Sequence, residues 1–330
     1  MQTSSIRTIA KSLDLSVATI SKVINGTGSI SEETKERVLQ EMRRVKYLPN
    51  RVARELKKGN KVIGVFSQGT NMEELGMLSV AEKLRGISNV ANEAGYDIML
   101  FFVDYEDFQH ESKIWSIIEK YTLSGVISLK PIRQSVQRKL IEYQIPHISV
   151  NWQAALVKET QVVATNIHMV LEKAVSHFYE RGKRNIAFMH WISNVYIIDV
   201  KKWSDALEKK YKGLKIETIY CSKAQTFETL ESIFKTCDYD AFLFFNKKHG
   251  FWYMDYARQN NIKIPEDVAL MFYDYQDYCG LISPKITGIR QPLYEIGKVG
   301  CKNLISLIEG NEEKISNQFL EPIFIQGETT

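Results

Sequence analysis

The sequence predicts an α/β fold: two doubly wound parallel-sheet subdomains with a cleft between them, preceded by a small all-α helix-turn-helix domain. Three observations carry this expectation. Short helical periodicities fill the first sixty residues, strand–helix alternation begins at Lys61, and the positive charge is confined to the first of these regions. Residues 1–60 hold 12 Lys and Arg against 6 Asp and Glu, a surplus of +6, so the rest of the chain carries −2 of the net +4. A basic end on a near-neutral body is the pattern of a chain whose terminus meets a polyanion.

In the basic region, Ile6, Ile9, Ala10 and Leu13 share one helical face. Leu15 follows in a tight turn, and Ser16 is placed to cap the next helix by accepting a backbone N–H. That helix, Val17 to Ile24, would bury Ile20, Val23 and Ile24 and leave Val17, Ala18, Ser21 and Lys22 outward. Asn25-Gly26-Thr27-Gly28 breaks the chain with residues that tolerate left-handed backbone. A third helix starts at Ser31, has Glu32 and Glu33 in its first turn to complement the helix dipole, and would bury Val38, Met42 and Val45. Two short helices joined by a tight turn and braced by a third form the arrangement in which the second helix enters a DNA major groove.

The run Ser-Val-Ala-Thr-Ile-Ser-Lys-Val-Ile-Asn at 16–25, then Ser31-x-x-Thr34 and Tyr47-x-Pro49-Asn50-x-x-Ala53-x-x-Leu56, resembles the headpiece of the lactose/galactose repressor family, without a gap from Ile6 to Leu56. The resemblance implies a transcription regulator that binds double-stranded operator DNA as a homodimer, with no cofactor. It places Val17, Ala18 and Lys22 as base-reading positions, Lys22 donating to guanine and Ala18 meeting a thymine methyl. Ser5, Ser16, Thr19, Ser21, Asn25, Ser31, Thr34, Tyr47 and Asn50 would hold the DNA backbone, which fixes register but not sequence. Residues Asn50–Lys57 would form a hinge helix in the minor groove, with Ala53 against the groove and Leu56 wedged between base pairs. Arg51, Arg54, Lys57 and Lys58 leave Leu56 little apolar company for the alternative role of a buried anchor. Many relatives carry Arg where this chain has Lys22, which lacks the planar fork for bidentate guanine recognition.

From Lys61 the apolar segments alternate as strand and helix. Strands are expected at 62–66, 97–103, 125–129 and 147–150, with helices at 79–95, 111–121 and 135–143 between them. A second set follows Thr165: helix 168–182, strand 185–190, helix 201–211, strand 217–221, helix 226–236, strand 241–245, helix 250–260 and strand 268–273. The same family is similar here, most clearly at Glu180-Arg-Gly-Lys-Arg-Asn-Ile-Ala-Phe188, Ile264-Pro-Glu-Asp-Val268 and Ile286-Thr-Gly-Ile-Arg-Gln-Pro292. This resemblance implies a periplasmic-binding-protein-like fold in which the chain crosses three times between halves and returns to the first after Pro292. The expected boundaries are a helix-turn-helix domain at 1–48, a hinge and linker at 49–60, and an effector-binding and dimerisation domain at 61–330. Within the last, one subdomain takes about 61–162 and 291–320, the other about 163–290 and 321–330.

Ligands of doubly wound sheets bind beyond the carboxyl ends of the strands. Trp152, Trp191, Asp199, Asn246, Lys247, Tyr273 and Asp274 are therefore the candidates for a small-molecule effector, a sugar or a sugar phosphate, with the aromatic faces suited to stacking on a ring. The resemblance places an Asp where this chain has Lys247 and an Arg where it has Asp199, an exchange of charge. Three readings stay open: Lys247 meets an anionic ligand, Lys247 pairs with Asp199 across the cleft, or both are solvated charges. The stretch Asn71-Met-Glu-Glu-Leu-Gly76 exceeds the family's length and would form a variable rim. A regulator controlled through its cleft by a protein partner is the alternative function.

Other classes lack their marks. The sequence has no Gly-x-Gly-x-x-Gly after a strand, no Walker loop, no Gly-x-Ser-x-Gly and no His-Glu-x-x-His, so an α/β enzyme is disfavoured. The histidines show no ligand spacing, and Cys221, Cys237, Cys279 and Cys301 form no Cys-x-x-Cys pair, so neither a metal nor a disulfide framework is expected. No apolar run could span a bilayer and no signal peptide is visible, so a cytoplasmic location is expected, against an exported solute-binding protein.

Overall fold

The computed structural model describes residues 6–25, 29–44, 61–68, 77–103, 111–130, 133–150, 160–191, 200–221, 227–236, 238–311 and 316–330. The N-terminal helices are α1 (Ile6–Leu13), α2 (Val17–Asn25) and α3 (Glu32–Arg44). Their small core is Ile9, Ala10, Ile20, Val23 and Val38, flanked by Ile6, Leu13, Ile24 and Met42. Asp14 takes a positive φ of 54° in the turn between α1 and α2, a conformation that Asp tolerates better than most side chains. A core this thin is braced by a polar tie. Ser12 donates to Glu41 Oε1 at 2.8 Å, and Arg44 grips the same carboxylate with Nε and Nη2, both at 2.7 Å. Those donors hold the Glu41 carboxyl at about 2, well below the ordinary carboxylate range.

The body consists of two parallel sheets built to one plan. The first half runs β1 (Val62–Gln68), α4 (Met77–Glu93), β2 (Asp97–Val103), α5 (Glu111–Tyr121), β3 (Gly125–Ser128), α6 (Gln134–Glu142), β4 (His147–Val150) and β5 (Gln161–Thr165). The second runs α7 (Ile167–Glu180), β6 (Asn185–Trp191), α8 (Val200–Lys210), β7 (Lys215–Cys221), α9 (Phe227–Thr236), β8 (Ala241–Phe244), α10 (Lys247–Gln259), β9 (Ala269–Tyr273) and β10 (Thr287–Arg290). The chain then returns through α11 (Leu293–Ile308) and β11 (Gln318–Leu320) before ending at β12 (Ile323–Ile325). Strand orders are β11-β5-β4-β3-β1-β2 and β12-β10-β9-β8-β6-β7. All pairings are parallel except β10 with β12.

The central strands explain their own sequences. All four residues of β3, β4 and β8 are buried, as expected where helices cover both faces of a parallel sheet. Edge strands β2 and β7 instead mix exposed and buried positions. Three crossings join the halves: after β5, after β10 and between β11 and β12. Because β5 belongs to the first sheet as far as Thr165, which pairs with Leu320 of β11, the first crossing lies beyond the expected boundary at 162. Helix α10 begins at Lys247, ahead of the expected Gly250, because Asn246 caps it by accepting from the Lys248 N–H at 2.9 Å. Periodicity did not mark β5, β10, α11, β11 or β12. Most other boundaries shift by a residue or two.

The returning helix α11 packs on α4 with backbone against backbone. A Cβ at Gly86 would stand 2.1 Å from the Tyr294 carbonyl oxygen, and one at Gly297 would stand 2.1 Å from that of Lys83. Gly297→Ala should therefore force the helices apart and lower stability by about 1–3 kcal/mol, the usual range for overpacking. Chemical denaturation of the full chain checks this, and an unchanged midpoint would show that the helices can separate freely.

Candidate functional site

Two places gather functional side chains: the outer face of α2 and the meeting point of the two sheets' carboxyl ends. On α2, Val17 is 43% exposed, Ala18 and Lys22 are exposed, and Ser21 is half-buried, while Ile20 and Val23 face the core. The helix thus turns its named base-reading positions outward because its apolar residues repeat at i and i+3 on the opposite side.

Paired hydroxyls stand at the N-termini of α2 and α3. Ser16 Oγ accepts from the Thr19 N–H at 2.9 Å and shares a hydrogen bond with Thr19 Oγ1 at 2.8 Å. Ser31 and Thr34 repeat the device, at 3.3 Å for the backbone bond and 2.8 Å between hydroxyls. One hydroxyl proton of each pair bridges the two oxygens, and the other can turn outward at a helix end whose dipole favours an anion. This is suitable chemistry for a phosphate. Asn25 closes α2, and nothing is described of its side chain. Ser5, Tyr47, Asn50, Ala53 and Leu56 lie outside the described residues, as does Val45.

In the body, the crossing strands bring the second site together. Thr165 Oγ1, at the end of β5, donates to Gln291 Oε1 at 3.0 Å, and Gln291 Nε2 donates to Asp274 Oδ1 at 3.0 Å. Lys247 Nζ donates to Asp274 Oδ2 at 2.7 Å and to the Asp274 carbonyl at 3.2 Å. The Lys247 and Asp274 side chains are only 7% and 16% exposed. A polar chain thus runs Lys247–Asp274–Gln291–Thr165 along the seam. Beside it, Phe245 packs against His190 at 4.6 Å and Tyr273 at 5.2 Å between ring centroids, an aromatic floor at the ends of β6, β8 and β9. Burial pushes the Tyr273 hydroxyl far above its ordinary range, so it stays protonated and can donate.

The structure brings together Asn246, Lys247, Tyr273 and Asp274 of the expected set. The Lys247 charge is committed to Asp274, which answers the three open readings differently from any of them. Trp152 and Asp199 lie outside the described residues. Trp191 ends β6, but its side chain does not belong to the described part. The sequence analysis missed Gln291, Thr165, Phe245 and Lys83. Lys83 carried a signal: it interrupts the apolar stripe Val80–Lys83–Ile87, where a charge has no place without a task. His147 and His249 are pushed down to about 4 by burial, which keeps them neutral. Among the described residues no group of His, Cys, Asp and Glu could hold a metal ion. Cys221, Cys279 and Cys301 are free and buried. No helix of the described residues is long and apolar enough to cross a membrane.

A three-helix headpiece with an outward second helix, joined to a two-sheet body with polar groups at its seam, defines a DNA-binding transcription regulator with an effector domain. Residues 5–50 match the family described as bacterial regulatory proteins, lacI family, and residues 175–330 match the periplasmic binding protein-like domain. The chain thus has a lacI-family headpiece and a periplasmic-binding-protein-like body, and the proteins it is similar to are transcription regulators. It is 26% identical to the HTH-type transcriptional regulator RegA of Clostridium saccharobutylicum, covering 99% of each chain. In fold it is similar to the transcriptional regulator CelR–cellobiose complex, with a TM-score of 0.71 and 18% identity over 99% of this chain and 100% of that one. It is also similar to the lac repressor dimer bound to operator and the anti-inducer ONPF, with a TM-score of 0.68 and 18% identity over 99% and 98%.

The seam network makes a quantitative demand. Asp274→Ala should leave Lys247 as an uncompensated buried charge and lower stability by about 3–5 kcal/mol. Adding Lys247→Met should restore at least half of that loss, since the charge needing a partner is gone. Additive losses in the double variant would show that the two residues do not depend on each other.

Proposed function

We propose that this regulator is a repressor that binds a pseudo-palindromic operator as a homodimer in the cytoplasm, and that a small-molecule effector in the cleft, a sugar or sugar phosphate, sets its affinity for DNA. The observation that carries the DNA-binding part is the outward face of α2, with Val17, Ala18 and Lys22 exposed on a headpiece of net charge +6. One headpiece spans one half-site, so two are needed for a palindrome. One chain of similar fold has been solved as a dimer on its operator and another as a cellobiose complex, which supports both halves of the proposal.

The division of labour follows the chemistry. Lys22 donates to a base edge, and Val17 and Ala18 offer apolar surface to thymine methyls. Ser5, Ser16, Thr19, Ser21, Asn25, Ser31, Thr34, Tyr47 and Asn50 fix the headpiece on phosphates. Ala53 and Leu56 would enter the minor groove at the operator centre, where an apolar wedge kinks the duplex. In the cleft, the aromatic floor of Phe245, His190 and Tyr273 offers a face for a sugar ring, and Asp274, Asn246 and Gln291 offer acceptors and donors for its hydroxyls. Trp152, Trp191 and Asp199 complete the proposed set.

Selection from random duplexes by the full chain separates these roles. Val17→Ala or Lys22→Ala should change the preferred base at one position of each half-site, a discrimination of about 1–3 kcal/mol. Thr34→Ala should keep the consensus and weaken every sequence alike. A consensus unchanged in all three variants would contradict the assignment of α2 as the reading helix.

A further inference from the structure

Among the described residues of the body, Lys83 is the most deeply buried cation. It lies on α4 between Val80 and Ile87, which pack into the first half's core together with Ile63 and Val65 of β1. A residue at i+3 from one and i−4 from the other shares their sheet-facing stripe. Lys83 is 2% exposed, and among the described residues it takes no hydrogen bond or ion pair. Burying an ammonium without a hydrogen-bonded partner costs several kcal/mol, so Lys83, which only the field of Asp274 favours, calls for a reason.

A second orphan stands on the same wall. Ser67, two residues beyond Val65 on β1, shows the same sheet face to α4 by the period of a strand. It is 1% exposed, and its hydroxyl oxygen has no hydrogen-bond partner. Buried unsatisfied hydroxyls are rare enough in native structures that each needs an explanation. Ser67 lies at the carboxyl end of β1, and Lys130 follows the end of β3, the strand paired with β1. Strand order reverses here, since β1 lies between β2 and β3, and this switch point is where doubly wound sheets take ligands.

We propose that Lys83 and Ser67, with Lys130 beside them, bind the oxyanion of the effector, a phosphate monoester or a carboxylate carried on a sugar-like body. The inference rests on the cleft-effector reading above and moves its charge-reading group from Lys247 to Lys83. Lys247 cannot serve, since Asp274 already neutralises it. The oxyanion supplies acceptors to both orphans at once, while the aromatic floor of the second half takes the ring.

Burial and the nearby Lys130 push the Lys83 amine down to about 7, and Asp274 opposes them. Helix α11, packed on α4, turns Glu295 and Lys298 to solvent, where they pair with each other. At neutral pH Lys83 is then only partly protonated, and a bound oxyanion draws a proton onto it. Proton uptake is thus a readout that a merely structural lysine would not give.

Calorimetry on the full chain tests the proposal with inorganic phosphate, glucose 6-phosphate, gluconate and glucose as probes, in two buffers of different ionisation enthalpy. At least one anionic probe should bind with uptake of a proton at neutral pH. Lys83→Met, a change of similar volume that leaves no buried charge, should weaken it at least tenfold, Lys83→Arg should retain part of the affinity, and Ser67→Ala should cost less than Lys83→Met. Preference for glucose 6-phosphate over gluconate, or the reverse, identifies phosphate or carboxylate as the source. Lys83→Met without effect on anion binding overturns the proposal, as does the absence of any anion binding up to about 10 mM, far weaker than a regulatory ligand. Glucose binding on its own terms then decides separately whether the cleft holds an effector at all.

Discussion

The carboxylate of Asp274 is the point on which the body of this regulator turns. It follows β9 with a positive φ of 62°, a conformation that Asp can adopt at modest cost. From there it holds the Lys247 ammonium and the Gln291 amide, and Gln291 in turn takes the Thr165 hydroxyl from the end of the first sheet. Two of the three crossing segments, those after β5 and β10, are therefore tied to one buried charge. Such a pair adds little net stability, because desolvating both ions offsets their attraction. What it does provide is a fixed geometry at the seam, since neither charge can be left alone.

The seam is also where a ligand has leverage. The two halves are joined by three crossing segments, and α11 locks the returning chain onto α4 through the Gly86 and Gly297 contacts. Tight packing makes each half a stiff body, so under the proposed function a change at the cleft would pass on as a shift of one half against the other. The linker that follows the headpiece enters the first half at β1, whose far end carries Ser67. A ligand at that end and DNA at the other would thus act on the same half. Its influence is bounded by how differently it binds the two arrangements.

Much of this was legible in the sequence, and the exceptions have physical causes. Alternating apolar runs announced the parallel sheets because buried strands such as β8 are apolar throughout. The headpiece was legible because its helices are amphipathic and its caps, Ser16 and Ser31, stand at the expected positions. Strands β11 and β12 were not, because they have three residues each, and β5 was not, because polar Gln161 and Thr165 leave only Val162, Val163 and Ala164 as its apolar run. The cleft was half legible. Strand ends pointed to Asn246, Lys247, Tyr273 and Asp274, but pairing between 247 and 274 is a long-range fact, and so an exchange of charge at Lys247 was expected where the structure shows a neutralised pair. Gln291 was passed over since a loop end says nothing alone about which wall it faces, and Lys83 because its place in the apolar stripe of α4 was not weighed.

The central claim is that the seam at Asp274 and the outward face of α2, proposed to read DNA, belong to one coupled system. Linkage makes that coupling reciprocal: if a cleft ligand alters DNA affinity, DNA must alter the cleft. Hydrogen–deuterium exchange of the full chain, free and saturated with a selected operator duplex, measures this directly. The expected result is altered protection around Thr165, Asp274 and Gln291 as well as in α2. Changes confined to the headpiece, with the seam exchanging identically in both states, would contradict the account.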